Sequence, residues 1–456
     1  MTELEISSEN ENSSTKEKHW KNFLKIYLVL GVLFLIMFTM RSAVTSLQMF
    51  VPYISVTIGE PVEIIVIMFL VYSTTAAIFS LIVGPITERI GYKIVMYAGM
   101  FIFAVAIMLL ALATKFWILA FGQAIAGIGG AYFGPAAIAY AGDYFPKNKL
   151  STAIGLIMSS FYVATIVAVP LIALVAEKLS WQWGLGIMAI LGFLVFVLIL
   201  LIVPKIKGKR IEPVDDNIEK QPEHKEAKSE VIQNNDEVQS YFARMKLVLQ
   251  NKYALGAFFI TLFQRGGLFG MLTLLSTWLV QENFWNGFDT GLTKTQIGLV
   301  FLGGGVAALI SNTTFSYIAD KIGKRKIIIS GTILTGISIF LFPLMGEITR
   351  NIPLAISGII IVNLFGGISM GSYNAFITQV APQSKGTAVA INNAFGQISL
   401  LMANALIATF VWNLSKNFAY CGLVALGFYI IAVTLMFIFV KSDDFFEQLN
   451  LSKKSS

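Results

Sequence analysis

Charge is scarce in this sequence. Asp, Glu, Lys and Arg make up 13% of its 456 residues, where soluble domains usually carry about 25%. So little polar surface cannot cover a globule of this size, and a soluble fold is excluded. Cysteine is scarcer still. Cys421 stands alone, so it has no partner within the chain for a disulfide framework. Histidine is limited to His19 and His224, both in polar segments. No metal site and no histidine-based catalytic constellation can be assembled from them. Neither an enzyme nor a bound cofactor is expected.

What the sequence holds in excess is apolar. Hydrophobic residues are 56% of the chain, with 36 Phe, and they arrive in blocks of the roughly 20 residues that cross a bilayer. One set falls at about 23–52, 62–86, 92–114, 116–144, 150–177 and 181–204. A second falls at about 252–281, 295–319, 326–347, 352–380, 386–414 and 418–441. The pattern predicts an all-α membrane protein of about twelve helices. Residues 1–22 are polar, and the first apolar run exceeds the 7–15 residues of a signal core. That run is read as a retained first helix that ends at Pro52. Between the sets, 205–250 is highly charged and almost free of aromatics, which marks a solvated linker. The expected organisation is a tail (1–22), a six-helix bundle (23–204), the linker (205–250), a second bundle (251–441) and a tail (442–456).

Lysine and arginine collect on one side of the predicted helices. Arg89, Lys93, Lys147, Lys149, Lys205, Lys207, Lys209, Arg210, Lys321, Lys324, Arg325 and Lys326 share that side. By the positive-inside rule it is cytoplasmic, together with both termini and the linker. A plasma (inner) membrane location is expected. The formal charge of +7 needs no nucleic-acid partner, since anionic lipid headgroups meet loop charges of this kind. A monomer is expected.

The halves repeat. Glu88-Arg89-x-Gly91 follows the second helix and Asp320-Lys321-x-Gly323 follows the eighth. A second correspondence links Phe145-Pro146 through Thr152-Ala153 with Ala381-Pro382 through Thr387-Ala388. Two similarly spaced matches indicate parallel six-helix repeats. The acid-basic-x-Gly loop, used twice, resembles the signature loop of the major facilitator superfamily. The resemblance implies two pseudo-symmetric six-helix bundles around a central pathway. It also implies a cytoplasmic gate built on Glu88, Arg89, Gly91, Asp320, Lys321 and Gly323. The glycines would allow the tight turn, and each carboxylate would face a helix N-terminus, where the dipole favours negative charge.

Two charges interrupt otherwise apolar helices. Arg41 lies on the order of 21 Å, and Arg265 on the order of 18 Å, from the cytoplasmic ends of the first and seventh helices at about 1.5 Å per residue. The acids Glu63, Glu88, Asp143, Glu177, Asp320 and Glu347 all fall near helix ends, so none is placed to pair with either arginine. Intramembrane charge points to function, and guanidinium forks suit carboxylate or phosphate. The pair therefore predicts transport of a small organic anion by alternating access. It resembles the arginine pair of the organophosphate:phosphate antiporter branch, which implies antiport.

Tyr162, Tyr373, Asn393 and Gln397 are polar residues in apolar stretches that could complete the site. Asn374 and Asn392 share that setting, and interhelical hydrogen bonding is the alternative for each. Gly127, Gly129, Gly130, Gly366 and Gly367 are read as helix-packing residues. A proton-coupled drug exporter is a rival reading. It is weakened by the missing mid-membrane acid, by Gln123 four residues before Gly127, and by Thr165, Val169 and Ala173 around Pro170. A non-transporting sensor that signals through the linker is a third. The orientation has a direct check: an impermeant thiol reagent outside intact cells should leave Ser229→Cys unlabelled. Labelling from outside would invert the topology.

Overall fold

The computed structural model describes residues 3–145, 147–205, 243, 245–282, 284–286, 291–380 and 385–440. Most of the predicted linker and the 442–456 tail lie outside the described residues. Among the described residues, twelve helices are long and apolar enough to cross a membrane, the arrangement expected where hydrocarbon leaves backbone groups no partner but the helix itself. The first half holds α1 (Glu3–Ile58), α2 (Val62–Ile90), α3 (Tyr92–Ala111), α4 (Phe116–Tyr144), α5 and α6 (Trp181–Ile202). The second holds α7 (Lys252–Leu279), α8 (Lys294–Ile322), α9 (Lys324–Thr349), α10 (Ile352–Val380), α11 and α12 (Phe418–Phe439). Helix α5 runs Lys147–Val163, widens to a π-helical turn over Ala164–Ala168 and continues as Val169–Lys178. Helix α11 does the same through Lys385–Ala403, Asn404–Val411 and Trp412–Ser415. Pro170 supplies one reason in α5, because it has no N–H for the carbonyl four residues earlier. Nothing in the local sequence of α11 plays that part.

Helix contacts repeat between the halves. In the first, α4 packs on α2 and α3, α6 on α3 and α1, and α1 on α5. In the second, α10 packs on α8 and α9, α12 on α9 and α7, and α7 on α11. Small residues let the crossings close. A Cβ on Gly127 would lie 2.6 Å from the Tyr72 carbonyl oxygen, and one on Gly367 would lie 2.7 Å from that of Ala308. Gly129 is equally confined, 2.8 Å from the Gly99 oxygen. Gly366 departs from the packing expectation, since nothing would approach its Cβ closer than 3.9 Å.

Two further expectations are corrected. Pro52 does not end the first helix; α1 continues to Ile58. Proline cannot bond the carbonyl four residues earlier, but here Ser276 Oγ on α7 donates to the Gln48 oxygen at 2.9 Å. A neighbouring helix thus satisfies the group that proline frees. The acid-basic-x-Gly motif is also not a loop. Residues 88–90 and 320–322 form the last turns of α2 and α8, and each turn is a single glycine. Gly91 has φ 87° and Gly323 has φ 97°, a region where a side chain is strained.

Among the described residues the halves meet mainly along α2 with α11, α5 with α8, and α1 with α7. On the face opposite the basic one, two of these seams are latched in a pseudo-symmetric way. Glu63 at the start of α2 pairs with Lys416 just beyond α11. At the start of α8, Lys294 Nζ donates to the Ala176 oxygen at 3.0 Å, and the Thr295 N–H donates to Glu177 Oε2 at 3.2 Å. The Lys294 ammonium also sits 4.9 Å from the Tyr53 ring centroid. These contacts join the halves across the far face. A partly exposed ion pair such as Glu63–Lys416 is worth about 0–1 kcal/mol and an exposed hydrogen bond such as that from Thr295 to Glu177 about as much, so Glu63→Gln or Glu177→Gln should shift far-face opening by up to about fivefold. Met49→Cys, buried on α1, reads the shift as its labelling rate from the far side in a Cys421→Ala background. An unchanged rate when both glutamates are replaced would show that the contacts do not hold the face shut.

Candidate functional site

Helices α1 and α7 bring their arginines to one central surface. The Arg41 guanidinium crosses between the halves and lies 5.4 Å from the Phe269 ring centroid. Phe269 is one helical turn beyond Arg265, so both arginines border the same face of α7. Arg265 lies against α11, where a Cβ on Gly396 would come within 2.6 Å of its Nη1. Both arginines are partly exposed at mid-span. Among the described residues neither forms a hydrogen bond or an ion pair. The half-buried Glu347 is committed elsewhere, at the far end of α9. It accepts from Trp278 Nε1 at 2.9 Å and from the first N–H of α12, at Phe418, at 2.8 Å.

The expected neutral residues divide. Tyr162 lies within electrostatic range of Arg41, and its hydroxyl reaches Met370 Sδ on α10 at 3.7 Å, across the two halves. Tyr373 stands in the same relation to Arg265 but is 5% exposed, and its hydroxyl donates to the Ala257 carbonyl. Thr261 Oγ1 lies 3.3 Å from that hydroxyl and donates to Asn392 Oδ1 at 2.6 Å. Tyr373 and Asn392 thereby tie α10 and α11 to α7. Asn393 and Gln397 bracket Gly396 on α11. Asn393 is partly exposed, and Gln397 Oε1 is buried without a partner. Asn374 is exposed. Beside Arg265, Gln264 turns away and donates to Thr332 at 3.1 Å and Ser369 at 2.9 Å.

Phe269 and Gly396 are the site residues that the sequence analysis missed. Phe269 had a signal, since four residues from Arg265 is the spacing of helix neighbours. Gly396 had none, because its role depends on which helix faces the arginine. Of the signature residues, Gly91 and Gly323 make the turns. Arg89 and Lys321 are exposed, and Lys321 Nζ sits 4.5 Å from the Tyr317 ring centroid. The side chains of Glu88 and Asp320 are outside the described set. Among the described residues no group of His, Cys, Asp or Glu is arranged to hold a metal.

The sequence profile of the Major Facilitator Superfamily matches residues 33–291 and 284–454. The uncharacterized MFS-type transporter YceJ of Bacillus subtilis (strain 168) is 24% identical over 80% of this chain and 84% of its own length. The sialic acid transporter NanX of Escherichia coli (strain K12) is 25% identical over 62% of each chain. A crystal structure of a mutant of the nucleoside transporter NupG superposes with a TM-score of 0.65 at 14% identity. It covers 91% of this chain and 100% of that one, and it bears on the fold alone. With the profile matched through both six-helix halves, this chain belongs to the Major Facilitator Superfamily, a family of membrane transporters and not of enzymes.

Proposed function

We propose that the protein moves a small organic anion, a carboxylate or phosphate ester, by alternating access, with Arg41 and Arg265 gripping it from opposite halves. The observation that carries this reading is two mid-span guanidiniums, partly exposed and without an ionic or hydrogen-bonding partner among the described residues. A charge so placed costs several kcal/mol unless paired. The Phe269 face returns about 0.5–2 kcal/mol to Arg41, which is less than that cost. An anion with two or three oxygens would satisfy both forks. Tyr162, Asn393 and Gln397 add neutral hydrogen-bonding groups at the rim, while Tyr373 holds the helices behind Arg265.

The far-face latches hold one state of the cycle. The helix-end motifs of Glu88, Arg89, Asp320 and Lys321 form the gate on the basic face, which is read as cytoplasmic. That NanX is named for an acid supports the anionic class. A proton-coupled exporter of cations is the weaker reading, because the described acids stand at helix ends.

Arg41→Lys and Arg265→Lys should each lower anion affinity by about 10–100-fold, the equivalent of the 1.5–3 kcal/mol of a hydrogen bond to a charged group. Ammonium keeps the charge but loses the planar fork. The alanine variants should do worse at unchanged membrane abundance. Gly396→Ala should impair transport without unfolding the protein, since the atom it displaces is the movable tip of Arg265. Wild-type anion flux through both alanine variants would overturn the clamp.

A further inference from the structure

Buried polar groups without partners are rare in folded proteins. Here they concentrate in one place. Of thirteen such side-chain atoms among the described residues, seven belong to the outer part of α1, the end of α7 and the connection that follows it. Thr45 Oγ1 and Gln48 Oε1 are two of them, in residues only 2% and 4% exposed. Arg41, Thr45 and Gln48 stand at i, i+4 and i+7, on one face of α1. Phe269, Thr273 and Ser276 repeat that spacing on α7. The Arg41–Phe269 contact and the Ser276–Gln48 hydrogen bond bring the two faces together at both ends of the stretch. Between the arginine and the far face lies a seam that is polar, uncharged and incompletely bonded. Tyr53, Thr277 and Gln281 continue it outward with further unpartnered oxygens.

Packing alone would favour apolar residues there, because each unpartnered buried group is destabilising. We propose that this seam is a second recognition site, which binds hydroxyl or amide groups of the transported anion while its charged end rests on Arg41. The substrate is then a hydroxylated organic anion and not a plain alkyl or aryl acid. The inference rests on the anionic reading given above. When the far face opens, Thr45 and Gln48 line the outer half of the path and exchange their missing contacts for those of the substrate.

Counterflow in proteoliposomes of the full chain separates the two claims. The probes are acids matched in skeleton but not in hydroxyls: gluconate against hexanoate, and dihydroxybenzoate against benzoate. The wild type should favour the hydroxylated member of a pair by about tenfold or more, about fivefold for each hydrogen bond. Thr45→Val and Gln48→Leu should each cut that preference by about fivefold, and together they should erase it, so that both members of a pair exchange alike. Thermal stability should hold or rise, because an unpartnered polar group has been removed. Equal exchange within each pair, or a preference that survives both substitutions, would overturn the seam as a recognition site and leave the anion clamp standing. Exchange of no acid would overturn both.

Discussion

Holding a guanidinium in the middle of a bilayer is the constraint around which this molecule is arranged. Its desolvation outweighs what the nearby protein groups return. Arg41 and Arg265 face that constraint differently. Arg265 is laid against its own half by Gly396 of α11, so its position is fixed within one bundle. Arg41 reaches out of its half to the ring of Phe269, so its position depends on how the bundles meet. One arm is anchored and the other is sensitive to the state of the seam. A ligand that binds both arms couples its own presence to the relation between the halves, as a conformational cycle requires.

The surrounding helices make that relation changeable. The halves share no covalent brace within the membrane and touch mainly along α1–α7, α2–α11 and α5–α8. Two of these seams run past the π-helical turns of α5 and α11, which place widened helix at the point of contact; such turns often accompany functional sites. The third carries Pro52, whose freed carbonyl is held by Ser276 of the opposite half. The far-face contacts, one ion pair and a few exposed hydrogen bonds, are weak individually. Closure therefore rests on several small contacts, none of which would prevent reopening.

Much of this could be read from the sequence because the membrane restricts the outcome to a few forms. Apolar block lengths and the duplicated acid-basic-x-Gly motif gave twelve helices and two repeats, and the observed helix ends fall within a few residues of the expected ones except in α1, which runs Glu3–Ile58 and so takes in the stretch expected as a tail. Local chemistry misled at Pro52, where a neighbouring helix overrides the break. It also misled at residues 88–90, where one glycine suffices for the turn. The arginines were legible because charge stands out against lipid-soluble neighbours. Gly396 and the Thr45–Gln48 face were not, since small and neutral polar residues acquire meaning only from the helix opposite them. Tyr373 shows the converse: a polar residue in an apolar helix whose hydroxyl serves packing.

The central claim is that the central charges await an anion. Its most direct measurement is the charge selectivity of exchange by the purified protein in liposomes, read with carboxylates, phosphate esters and amphiphilic cations against the same internal load. Exchange confined to one or both anion classes, and abolished when both arginines are neutralised, is the expected result. Exchange of the cations alone, undiminished in the doubly neutralised protein, would contradict it.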